Sequence, residues 1–96
     1  MSVYFIASLK IKDEAGYQDY CQAMHGDMAS FSGKYLALDS QPEVLEGQWN
    51  YTRCVLIEFE SEAALRHWYD SPEYQAIIDL RKNSTDGDII IAHGVQ

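Results

Sequence analysis

Val3, Phe5, Ala7, Leu9 and Ile11 recur at every second position, the spacing that puts side chains on one face of a strand. A first strand is predicted over Ser2 to Ile11. Asp13 then offers an N-cap oxygen and Glu14 suits the positive end of a helix. Tyr17, Tyr20, Cys21, Met24, Met28 and Phe31 repeat at helical spacing, which predicts a helix from Glu14 to about Ser32. Gly33 stands where a helix commonly ends in a left-handed residue, and Lys34 to Leu38 returns to an extended pattern. Asp39, Ser40, Gln41 and Pro42 interrupt that run and Glu43 to Glu46 can resume it, so the second strand is expected to carry a bulge or bend.

Gly47 to Thr52, with Trp49 inside it, reads as a loop, and Arg53 to Glu60 as a third strand rich in Val, Leu, Ile and Phe. Ser61 can cap a second helix with Ala64, Leu65, Trp68 and Tyr69 as its apolar stripe. Ser71 and Pro72 repeat the start signal, because proline at the first helical position loses no hydrogen bond. A jog and a restart are therefore expected there, with Tyr74, Ile77, Ile78 and Arg81 carrying the pattern to about Asn83. Asp86 and Gly87 read as a turn into a fourth strand, Asp88 to Val95. The order β-α-β-β-α-β is that of the ferredoxin-like α+β arrangement, a four-stranded antiparallel sheet with two helices on one face.

That arrangement leaves the other sheet face bare. The alternate set is Tyr4, Ile6 and Ser8 in the first strand and Cys54, Leu56 and Glu58 in the third, while Ile89, Ile90 and Ile91 run together in the last. Neither face is cleanly polar, as a sheet with one side in water would be. The simplest cover in so short a chain is the same face of a second copy, so a homodimer is expected, with a cavity or a packed core between each sheet and its helices.

Ninety-six residues fit a single domain over 1–96, and a hydrophobic share of 47% with a charged share of 23% is ordinary for a folded chain. Fifteen acidic against seven basic residues give a formal net charge of -8. Such a charge repels phosphate backbones and anionic headgroups, which argues against nucleic acid and membrane as partners. No segment approaches the roughly 18 apolar residues of a membrane span and no signal-like start is present, so a cytoplasmic protein is expected. Cys21 and Cys54 have no metal-like spacing and read as buried free thiols, with a disulfide between them left open. His25, His67 and His93 share no ligand spacing either, so no metal and no cofactor is expected.

Tyr35-Leu36, Glu43-Val44-Leu45-Glu46-Gly47 with Trp49, Arg53, Ile57-Glu58-Phe59 and above all Trp68-Tyr69-Asp70-Ser71-Pro72-Glu73-Tyr74-Gln75 are together distinctive. On these residues the chain resembles the domain-of-unknown-function family numbered thirteen-thirty, in the dimeric α+β barrel superfamily. The resemblance spans nearly the whole chain and implies a ferredoxin-like protomer and a dimer closed around its sheets. It implies no reaction: the superfamily holds cofactor-independent monooxygenases, haem-binding members and small isomerases or lactonases. The chain departs from the family pattern at Ser32-Gly33-Lys34, where relatives often carry Gly-Gly-Arg, so no forked guanidinium is available there. Asp13 is followed by Glu14 where the family usually has a proline, a change of capping alone.

Candidate chemistry centres on a few side chains. Glu58, among apolar neighbours, reads either as a base or acceptor in a cavity or as one partner of a structural ion pair. Arg53 can receive a carboxylate or enolate in bidentate fashion, or pair with Glu46 or Glu58 and stack on Trp49. Trp68 lies on a helical stripe of the kind that fills cores more often than pockets. The expected site is a small-molecule cavity walled by sheet and helices, with Glu58 and Arg53 as polar anchors and Tyr35, Trp49 and Trp68 as aromatic walls. Cofactor-free proton or oxygen chemistry on an aromatic or enolisable substrate fits it best; the alternative is a non-enzymatic dimeric module for ligand sensing or assembly.

Overall fold

The computed structural model describes residues 1–24 and 27–95. Its elements follow the order β1 (Val3–Ile11), α1 (Glu14–Met24), α2 (Asp27–Ser30), β2 (Lys34–Asp39), β3 (Arg53–Phe59), α3 (Glu62–Tyr69), α4 (Pro72–Gln75), α5 (Ile78–Ser84) and β4 (Thr85–His93). The strands form one 4-stranded sheet in the order β2-β3-β1-β4, antiparallel throughout. β3 lies between β1 and β2, and β1 lies between β3 and β4, so each strand-helix-strand unit is split by a strand of the other. This is the ferredoxin-like arrangement.

The caps behave as their chemistry demands. Gly16 N donates to Asp13 Oδ1 (3.2 Å), Ala64 N to Ser61 Oγ (3.1 Å) and Tyr74 N to Ser71 Oγ (3.1 Å), each satisfying an orphan amide of a first turn. The jog expected at Ser71 is present, and the chain restarts once more at Ile78. Within the helix expected from Glu14 to about Ser32, the described residues form α1 up to Met24 and α2 over Asp27–Ser30. His25, one of the histidines weighed above, lies outside the described residues.

Three boundaries differ from expectation. The left-handed residue after α2 is Ser32 (φ 65), not Gly33. Gly33 is needed for a close approach instead, since a Cβ there would stand 2.2 Å from the Met28 sulfur. The second strand stops at Asp39, with a register shift between Tyr35 and Ala37, and 43–46 does not resume it. The fourth strand begins at Thr85, so Asp86 and Gly87 are strand residues rather than a turn. Gly87 faces Leu9 across the ladder, where a Cβ would meet the Ser8 carbonyl oxygen at 2.3 Å.

Val3, Phe5, Ala7 and Leu9 of β1 and Val55, Ile57 and Phe59 of β3 point to the helices and are buried. They meet Tyr17, Tyr20 and Met24 of α1, Leu65 and Trp68 of α3, Tyr74 and Ile78 in one apolar core. Trp68, fully buried, is its centre, with ring centroids 4.3 Å from Tyr74, 5.2 Å from Phe5 and 5.5 Å from Phe59. On the opposite face the register aligns Ala37, Leu56, Ile6 and Ile90 in one apolar row across all four strands. Lys34, Glu58, Tyr4 and Ala92 form the row on one side of it, and Asp39, Cys54, Ser8 and Asp88 the row on the other. Ile90 is 56% exposed. Among the described residues no helix is long and apolar enough to cross a membrane.

Candidate functional site

Between α1 and the inner sheet face lies a cavity of about 300 Å³, at the small end of the range for ligand pockets. Its floor is Phe5, Ala7 and Leu9 of β1 with Val55 and Ile57 of β3, all odd-numbered positions that the pleat turns inward. α1 contributes Tyr17, Tyr20, Cys21 and Met24, one stripe at helical spacing. Tyr35 and Leu38 close the β2 side, both turned inward because the bulge at Leu36 restores the alternation beyond it. Arg53, at the start of β3, and Arg81, from α5, complete the wall.

Both guanidiniums are held by neutral partners. Arg53 Nη1 donates to Ser40 Oγ (2.8 Å), its guanidinium carbon lies 5.4 Å from the Tyr17 ring centroid, and its buried Nε has no partner. Arg81 is only 8% exposed, and its Nε donates weakly to the Tyr74 hydroxyl (3.4 Å). That hydroxyl shares a 2.8 Å hydrogen bond with Tyr20. Among the described residues neither arginine has a carboxylate partner. Burial, reinforced by Cys21 and opposed by Arg53, pushes the Tyr17 phenol up to about 12. Burial and then the Tyr74 hydroxyl raise Tyr20 above the usual phenol range, and burial raises Tyr35. The cavity thus presents neutral hydroxyls and two cations against an apolar floor.

The residues expected to share a site are only partly brought together. Tyr35 and Arg53 both line the cavity. Glu58 does not: its even position turns it to the outer face, with Tyr4 and Lys34 as its cross-strand neighbours. It cannot anchor a ligand with Arg53 inside one protomer. Trp68 is core, shielded behind Phe5 and Phe59, and its buried indole N–H has no partner. Trp49 sits in the connection between β2 and β3, 5.3 Å from the Tyr51 ring, beside Pro42, Val44 and Leu45 in a separate outer depression. Arg53 therefore stacks on Tyr17 rather than Trp49, and pairs with Ser40 rather than Glu46 or Glu58.

Tyr17, Tyr20, Cys21 and Arg81 line the cavity without having been singled out. Arg81 left a legible signal, a charge on the inward side of the Tyr74-Ile78 stripe. Cys21 and Cys54 are free thiols, the first in the cavity and the second on the outer face, so the sheet separates them. His93 pairs with Glu62 at 2.8 Å on the surface, and His67 packs 5.4 Å from the Phe31 ring.

The split sheet, the helices on one face and the cavity beneath them define a ferredoxin-like α+β protein. The chain belongs to the family described as Domain of unknown function (DUF1330), whose model matches residues 2–95. It is similar in structure to a protein of unknown function from Rhodopseudomonas palustris, at 14% identity, TM-score 0.83, over 99% of this chain and 83% of that one. A second similar structure is SnoaB, a cofactor-independent oxygenase from Streptomyces nogalater, at 10% identity, TM-score 0.72, over 99% and 94%. A third is a dimeric ferredoxin-like protein of unknown function from Thermobifida fusca, at 18% identity, TM-score 0.69, over 95% and 89%. These likenesses carry the fold and not an activity. No curated protein matches the sequence.

Proposed function

We propose that this chain is a homodimer whose protomers each bind a small aromatic or enolisable molecule in the cavity beneath α1 and transform it without a cofactor. The observation that carries the reading is the cavity itself, about 300 Å³, apolar in its floor and furnished with Arg53, Arg81 and tyrosine hydroxyls at its wall. Apolar surface binds a flat body, and a guanidinium stabilises the negative charge that develops when such a molecule loses a proton. With solvent water taking the proton, the enolate can pass one electron to dioxygen and join the resulting superoxide at carbon. Protonation then gives a hydroperoxide, the substrate carbon being oxidised and dioxygen reduced. The similarity to a cofactor-independent oxygenase supports that chemistry by analogy of fold. The second copy covers the outer row of Ala37, Leu56, Ile6 and Ile90, as the dimeric relative suggests. The two free thiols suit a reducing compartment, and the cytoplasm is our assignment.

One observation favours binding without chemistry. Among the described residues lining the cavity there is no carboxylate and no imidazole to act as a base. A dimeric ligand-sensing or assembly module would need none. The two readings separate when the protein is mixed with enolisable aryl ketones in air while the ultraviolet spectrum and dissolved oxygen are followed. Enzyme-dependent oxygen uptake or proton exchange at the enolisable carbon supports catalysis. Saturable quenching of protein fluorescence with neither supports a sensor, and no binding at all removes catalysis and sensing and leaves assembly.

A further inference from the structure

Acidic residues outnumber basic ones fifteen to seven in this chain, yet both charged residues at the cavity are arginines. That inversion is local and chemically specific. Arg81 is almost wholly buried, and among the described residues its guanidinium has a long hydrogen bond to the Tyr74 hydroxyl and no carboxylate partner. Arg53 has a serine hydroxyl, the face of Tyr17 and an orphaned, buried Nε. Taking a cation out of water is costly unless an opposite charge and satisfied hydrogen bonds repay it. Ser40, Tyr17 and Tyr74 supply none of that charge, and the raised phenols stay neutral at physiological pH. Arg81, almost wholly buried, and Arg53, partly buried, border the same cavity with no carboxylate partner among the described residues, and a ligand can supply the missing counter-ion.

Resting on the cavity reading above, we infer that the ligand is a small organic anion, an aryl carboxylate or a molecule that becomes an enolate, whose charge is received by Arg53 and Arg81. Its ring lies against Phe5, Leu9, Val55 and Ile57, and the hydroxyls of Tyr17 and Tyr20 donate to its remaining oxygens. A planar guanidinium fork matches a carboxylate in a way a neutral amide cannot imitate. The cavity volume admits about one or two fused rings. The acidic exterior repels an anion on approach, so selectivity is exercised inside rather than by long-range steering.

The test is a titration of the protein at neutral pH with 2-naphthoate and with its neutral isostere 2-naphthamide, followed by calorimetry. The inference expects the carboxylate to bind at least about tenfold more tightly. Arg53→Gln and Arg81→Gln should each remove most of that preference by weakening the carboxylate far more than the amide, and Arg53→Lys should restore part of it. Should Arg81→Gln fail to fold, the wild-type comparison and the Arg53 pair still decide. Equal affinity for the two probes, or an unchanged preference in Arg53→Gln, overturns anion selection and leaves the cavity reading standing. If neither probe binds, both fall together.

Discussion

Each face of the sheet carries an apolar row across all four strands, and the two faces differ in what flanks and covers that row. On the inner face Tyr35, Ile57, Phe5 and Ile91 align across the strands, and Phe5 and Ile57 are 3% and 0% exposed beneath the helices. On the outer face the equivalent row of Ala37, Leu56, Ile6 and Ile90 has no cover of its own, and its flanking rows bring in Lys34, Glu58, Asp39 and Asp88. Charges on the outer face sit at the borders of the apolar row, where water or a partner's rim can reach them. Charges on the inner face, Arg53 and Arg81, border a partly open cavity whose floor is buried. Hydrophobicity alone would assign both faces the same job. Cover and the placement of charge divide them, one face suited to a small molecule and the other to a flat apolar surface such as its own copy.

The sharpest way to break the inner face is Trp68→Ala, which removes the ring at the centre of the core. We expect a loss of about 3–5 kcal/mol in urea unfolding, the range for large aromatic truncations. A loss under about 1 kcal/mol would mean the core is not organised around this residue. On the outer face Leu56→Asp puts a carboxylate in the middle of the apolar row, twice per two-fold dimer. It should cost about 1–3 kcal/mol per copy of association free energy and shift sedimentation from dimer to monomer at micromolar concentration. An unchanged dimer would place the interface elsewhere.

Alkaline pH probes chiefly the inner face, where burial raises Tyr17, Tyr20 and Tyr35; the exposed Tyr51 is raised too, by its hydrogen bond to Asp88. Tyr17 titrates near 12 in the folded chain, above the ordinary phenol value of 10.0, and Tyr20 is also raised. Above pH 10 the folded state therefore holds protons that the unfolded state has released, so this contribution is complete below pH 10 and is lost as pH climbs towards 12. The urea midpoint should fall across that window, and Tyr17→Phe should flatten the fall. The smallest effect belongs to Glu58→Gln. With the side chain on the outer face, naphthoate affinity should be unchanged within about twofold and stability within about 0.5 kcal/mol, the usual span for surface substitutions. A large loss of ligand affinity would place Glu58 in the site after all.

The period-two alternation of β1 and β3 was legible because those strands are regular, and it already separated Arg53 from Glu58, one odd and one even. Joining them in a single cavity overlooked that parity. β2 was less legible because the bulge between Tyr35 and Ala37 changes which residues share a face, and a bulge has no fixed sequence signature. Asp86-Gly87 resembles a turn, whereas the glycine there answers a backbone approach from Ser8 that only the tertiary structure reveals. Trp49 belongs to a stretch without periodicity, so its side chain's direction could not be read. The spacing of Tyr17, Tyr20 and Cys21 predicts a core stripe, and the stripe is real; that part of it borders open space depends on how far α1 stands from the sheet.

The division of labour between the faces is tested most directly by methyl-resolved NMR of the protein titrated with 2-naphthoate. Saturable shifts are expected at Leu38, Val55, Ile57 and Met24, with Ile6, Leu56 and Ile90 unmoved and showing contacts between copies in isotope-filtered spectra. Shifts concentrated at Ile6, Leu56 and Ile90 with the inner methyls unmoved would contradict it.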